Sequence, residues 1–151
     1  MRNLLLMLMS VMLLSCSDSQ TQSKNFTAVD IAQGNLLGAG EEGIQQENVV
    51  IKDEKSWNEL LKKMDKVNDV SSHFSRQKVD FNKNMIIASF EGVKSSGGYG
   101  IALKVKPDSD KIIVEVKRIS PEGMASMQMT QPYHIIEIPK SNLPVEFVNV
   151  D

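Results

Sequence analysis

Two runs of alternating residues constrain the fold of this chain more than any other feature. Ile101, Leu103 and Val105 alternate with Ala102, Lys104 and Lys106, and Ile112, Val114 and Val116 alternate with Ile113, Glu115 and Lys117. A period of two sends successive side chains to opposite faces of an extended strand, so each run reads as a strand with one buried face. Pro107-Asp108-Ser109-Asp110 stands between them and favours a turn. The two runs therefore predict a hairpin. Its open ends come together, which puts Gly98 beside the residues near 120 and makes the 97–99 and 121–132 segments leave from one end of the sheet.

Further strands surround that hairpin. Residues 85–90, MIIASF, form an apolar run that reads as a buried strand. Residues 47–51 (ENVVI), 133–138 (YHIIEI) and 145–150 (VEFVNV) read as shorter ones, with Pro139 and Pro144 punctuating the last two. One helix is clear, over about residues 54–66. Trp57, Leu60, Leu61 and Met64 fall at i, i+3, i+4 and i+7 and share a face, Asp53 suits the N-cap, and Glu54 suits the positive end of the helix dipole. Trp57, the single tryptophan, either anchors this helix on a sheet or stacks on a ligand. Residues 67–83, which hold His73, Asp80 and Phe81, are mostly polar and predict a loop with little regular structure. One helix and five or six strands, mostly consecutive, predict an α+β fold with a mostly antiparallel sheet.

The first residues read differently. Arg2 precedes an uncharged apolar run, LLLMLMSVMLL at residues 4–14, and Ser15 stands directly before Cys16. This is the layout of a secretory signal peptide, and at 11 residues the run falls short of the roughly 20 that a spanning helix needs. Cys16 is the only cysteine, so no internal disulfide can form. Leu13-Leu14-Ser15-Cys16 resembles the lipobox of bacterial lipoproteins, which implies cleavage before Cys16 and a lipid anchor on its thiol; an ordinary signal peptide with a chance cysteine is the alternative. The expected organisation is a leader at 1–15, a lipidated N-terminus and flexible tether at 16–25 and one globular domain at 26–151. Ser17 resembles the residue of outward-sorted lipoproteins, which predicts the cell envelope and the outer membrane rather than the inner. Seventeen basic side chains against nineteen acidic ones, with no basic patch, argue against a nucleic-acid partner.

Chemistry finds few footholds. The chain has two histidines, His73 and His134, and no HExxH, paired CxxC or GxSxG pattern. Ser95 or Ser96 with His134 and Asp80 can be drawn as a triad, but nothing in their spacing assembles it. No catalytic residue and no cofactor are expected. Met124, Met127 and Met129 form an MxxMxM cluster with His134 close behind. Clustered thioethers suit Cu(I), so a metal-binding or small-ligand-binding lipoprotein is one reading; methionines filling an adaptable contact surface is the other. The run Ser95-Ser96-Gly97-Gly98-Tyr99-Gly100 lacks the lysine of a phosphate-binding loop and leads into a strand, so it reads as a connection between strands.

The run from Phe90 through Gly92, Gly97-Gly98-Tyr99 and Ile101 resembles the central motif of the PrcB family of protease-complex proteins. Ser120-Pro121-Glu122-Gly123 followed by Gln128-Met129-Thr130-Gln131-Pro132-Tyr133 is similar to its second motif, and Trp57 and Val79-Asp80-Phe81 also fit, so the resemblance covers about residues 44–140. It implies an interaction module without catalysis or cofactor. Its partner would be an envelope protein, on the pattern of the subtilisin-like protease that the family's namesake lipoprotein stabilises. The methionines at 124, 127 and 129 are not part of the family motif; the hairpin spacing and the motifs together make Gly97, Gly98, Tyr99, Pro121, Met127, Gln128, Thr130, Pro132 and Tyr133 the candidates for partner binding. Whether Tyr99 packs in the core or faces a partner stays open at this point.

Overall fold

The computed structural model describes residues 27–151. The expected leader at 1–15, Cys16, the tether at 17–25 and Phe26 lie outside the described residues. Seven strands and one main helix follow: β1 (Val29–Leu36), β2 (Glu47–Ile51), α1 (Glu54–Met64), β3 (Asn84–Phe90), β4 (Gly100–Pro107), β5 (Ile112–Ile119), β6 (Gln131–Pro139) and β7 (Val145–Val150). The fold is α+β and mostly antiparallel, as expected. The strands divide between two sheets, in the orders β1-β6-β3-β2 and β4-β5-β7.

The division follows from burial. In β3 every residue from Met85 to Phe90 is buried, and in β6 every residue from Gln131 to Ile138. Such strands need cover on both faces, and one helix covers only one. Ile86, Ala88, Phe90, Tyr133 and Ile135 pack with Trp57, Leu60 and Met64 of α1. Met85, Ile87, Ile136 and Ile138 turn the other way and meet Ile112 and Val114 of the second sheet. The molecule is thus three layers: helix, four-stranded sheet, three-stranded sheet. The outer sheet keeps one wet face, which is why β4 and β5 alternate while β3 and β6 do not. The chain leaves β5 for β6 in the other sheet, running back, so β7 returns parallel to β5.

α1 begins where its chemistry predicts. The Asp53 carboxylate accepts a hydrogen bond from the Ser56 N–H at 2.8 Å, and that bond holds its carboxyl below the usual range. Trp57 is buried, donates from Nε1 to the Gln77 carbonyl at 3.0 Å, and lies beside Phe74, which confirms the anchoring role. Residues 67–83 carry only a single 3-10 turn, Ser71–His73.

β1 is the strand that the alternation does not show. A register shift between Asp30 and Ala32 breaks its period, and Gly34 stands opposite Tyr133. A Cβ on Gly34 would come within 3.1 Å of the Tyr133 hydroxyl, so the glycine makes room for that ring. No helix among the described residues is long and apolar enough to cross a membrane.

Candidate functional site: an apolar apex

Strand directions give the molecule two ends. β1, β3, β5 and β7 run toward one, the apex, and β2, β4 and β6 run away from it. Three connections meet at the apex: residues 37–46, 91–99 and 120–130.

Their packing is specific. Lys94 and Thr130 exchange backbone hydrogen bonds at 2.7 and 3.0 Å, and the Thr130 hydroxyl donates to the Ser96 carbonyl at 2.9 Å. The Gly97 N–H donates to the Ser126 carbonyl at 3.0 Å. Gly98 has φ +84, and a Cβ there would come within 2.7 Å of Pro121 Cβ. Gly98 therefore answers two demands at once, a left-handed backbone and a close approach. The expected neighbourhood of 97–99 and the loop after Ser120 is what the structure shows. Gln131, fully buried, donates to the carbonyls of Ile44 and Glu91, both at 2.9 Å, and so ties the first connection to the other two.

An ion cluster forms around the buried Glu91 beside these connections. Glu91 accepts from Arg118 Nε at 2.6 Å and from the Gly92 N–H at 2.9 Å, and Lys94 stands 3.5 Å away. Burial pushes the Glu91 carboxyl up; the Gly92 and Arg118 hydrogen bonds and the charges of Lys94 and Arg118 outweigh it and hold the group below its ordinary range. Lys94 also lies 5.3 Å from the centre of the Tyr99 ring. Tyr99 is half-buried, neither a core residue nor a free one. Sequence reasoning did not find this cluster: Glu91 and Arg118 stand 27 positions apart, and only the three-dimensional packing brings them together.

On this frame stand the exposed apolar side chains. Met124 and Met127 are fully exposed and Met129 is 45% exposed. Leu37, Val93 and Ile119 stand exposed on or beside the same three connections, and Val67 is exposed where the chain leaves α1 at this end, next to the Lys66 bond to the Glu41 carbonyl. Seven of the nine large apolar side chains exposed among the described residues thus lie at the apex; Val29 and Val148 are the others. The opposite end, the base, carries Lys52, Asp53, Asp80, Lys83, Asp108, Asp110 and Lys140 on its surface.

The expected contact residues sort by depth. Met127, Gln128 and Gly98 are exposed, and Tyr99 and Pro121 half-buried. Gly97, Thr130, Pro132 and Tyr133 are buried and build the frame. Tyr133 lies between Phe74 and Phe90 in an aromatic row, and burial with the nearby Asp65 charge pushes its hydroxyl pKa up.

The drawn triad does not assemble. His134 Nδ1 accepts the Leu103 N–H at 2.9 Å, which leaves its proton on Nε2, 3.0 Å from Asp30 Oδ1. Asp80 instead pairs with Lys83 and accepts from the Asn82 N–H. With both nitrogens engaged, His134 also offers nothing to a metal beside the methionines. Among the described residues no three His, Cys, Asp or Glu side chains gather as a metal site.

Residues 85–139 match the family model described as PrcB C-terminal. That span is similar to the PrcB C-terminal family. The family is one of protease-complex-associated subunits. The match runs from β3 through β6 and includes two of the three apex connections; Trp57 and Val79-Asp80-Phe81 lie outside it. No curated protein and no solved structure matches the chain significantly.

Proposed function

We propose that this chain is a non-catalytic envelope lipoprotein whose apex docks on a partner protein and stabilises it. One observation carries the reading: nearly all exposed large apolar side chains stand at one end, on loops pinned by hydrogen bonds. Exposed apolar side chains concentrated at one end of a domain point to an interaction site. Loops already fixed in place lose little freedom on binding, which favours affinity. The PrcB C-terminal match supports a partner from a protease complex, a secreted subtilisin-like protease being the candidate that the family supplies.

The test is a photo-crosslinking amino acid placed in cells at Gln128 on the apex, and separately at Asp110 on the base. The reading expects a discrete adduct containing a protease from Gln128 and none from Asp110. Equal labelling from both positions, or none from Gln128, overturns it.

The anchor belongs to the same proposal. Cys16→Ala should abolish acylation and release from the precursor; a mature form of the variant that still partitions into detergent like the parent chain contradicts the anchor. A second reading, Cu(I) held by Met124, Met127 and Met129, draws on three exposed thioethers sharing one loop. Competition for Cu(I) against a chelator decides it: affinity that survives replacement of all three by leucine removes it.

A further inference from the structure

We infer that Met124 and Met127 are oxidation sites, and that their conversion to methionine sulfoxide by a hydroperoxide switches off docking at the apex. The inference rests on the docking reading above and adds its regulation.

The exposures separate two classes of thioether completely. Met64 and Met85 are 0% exposed and sit inside the two cores, whereas Met124 and Met127 are fully exposed and Met129 is partly so. Oxidation needs the oxidant to reach sulfur, so the apex sulfurs react and the core sulfurs are shielded. Ser126 is held by Gly97 and Thr130 by Lys94, with Met127 and Met129 exposed between these two points and Met124 exposed just before the first. The long apolar side chains on residues 121–129 are all methionine, so the surface offered to a partner is also the surface open to oxidation.

The chemistry is a two-electron transfer. A sulfur lone pair attacks one oxygen of hydrogen peroxide, an S–O bond forms and the O–O bond breaks. The departing hydroxide takes the proton from the transferred oxygen and leaves as water. Sulfur is oxidised, the peroxide is reduced, and the side chain becomes a neutral sulfoxide with a strong acceptor oxygen. That oxygen has no donor waiting in an apolar interface, and burying it unpaired weakens docking by roughly tenfold or more for each methionine that is buried. Methionine sulfoxide reductases reverse the step, which makes it a switch.

The experiment treats cells carrying the full chain, with the crosslinker at Gln128, with graded hydrogen peroxide. A second chain carries Met124→Leu, Met127→Leu and Met129→Leu, which keeps the surface apolar and removes the sulfur. Peptide mass spectrometry should find oxygen first on Met124 and Met127, later on Met129, and last on Met64 and Met85. Adduct yield should fall roughly tenfold in the parent chain and hold in the leucine chain, with melting temperatures unchanged by treatment. Oxidation of the core methionines as fast as the apex ones overturns the inference. So does a yield that persists after Met124 and Met127 are fully oxidised, or one that falls equally in the leucine chain. Loss of adduct in both chains before any peroxide is added sinks the docking reading itself, and the switch with it.

Discussion

At the scale of single residues, Gly98 is the most constrained position of the apex. Its φ of +84 lies where a side chain is strained, and its α-carbon faces Pro121, a ring that cannot rotate away. Gly98→Ala should cost about 2–3 kcal/mol, from a left-handed backbone and a clash together; a melting temperature equal to that of the parent chain would contradict the geometry. Glu91 makes a different prediction. Its carboxyl is held below the ordinary glutamate value of about 4.5 in the folded chain, so its contribution to stability is complete above about pH 4.5 and is lost as the pH falls through the lowered value. Thermal melts between about pH 5 and 3 should show a steeper loss for the parent chain than for Glu91→Gln, and parallel curves would mean that the Arg118 and Lys94 contacts hold nothing. The two residues differ in how far the sequence exposes them. Adjacent glycines at 97 and 98 mark a turn without any structure. Glu91 is one acid among nineteen, and its burial depends on partners that no spacing rule selects.

At the scale of elements, legibility follows the number of buried faces. β4 and β5 have one wet face and declare themselves by alternation; α1 declares itself by an apolar stripe and the Asp53 cap. The runs at β3 and β6 show strands, and their unbroken apolar character hints at a second covering layer, but not which strands supply it. β1 stays hidden because its bulge and Gly34 erase the period. The join between the sheets was equally unreadable. β4 is an edge strand, and two side chains of the inner sheet meet its free edge: His134 takes the Leu103 N–H, and Gln33 donates to the Ile101 carbonyl at 2.5 Å. His134→Ala leaves the Leu103 N–H without its acceptor and should cost about 1–3 kcal/mol. Hydrogen exchange localises the effect: the Leu103 amide should exchange faster in the variant, with the Ile86 amide, deep in the inner sheet, much less affected. An unchanged Leu103 amide would show that the histidine is not the latch.

At the scale of the whole molecule, the chain enters the fold at Val29, beside Glu137 at the base, and β1 carries it roughly 25 Å to the apex. An anchor on Cys16 would therefore join the described domain at its base, the end opposite the apolar apex. A fluorophore on Gln128→Cys in the lipidated chain should be quenched by a water-soluble quencher and spared by a lipid-soluble one in vesicles. The reverse pattern would make the bilayer the occupant of the methionine loop. This polarity was partly legible, since the hairpin predicts which loops meet, but the rim of Leu37, Val67, Val93 and Ile119 emerges only when every strand has a direction. The most direct measurement on the central claim is the double variant Met124→Asp, Met127→Asp, with the crosslinker at Gln128, scored for melting temperature and for adduct yield together. Both side chains are fully exposed, so stability should stay within about 0.5 kcal/mol of the parent chain while the yield falls at least roughly tenfold. Full yield from the double variant, or a collapse of its melting temperature, would contradict the account, because the loop would then serve no partner or serve only the fold.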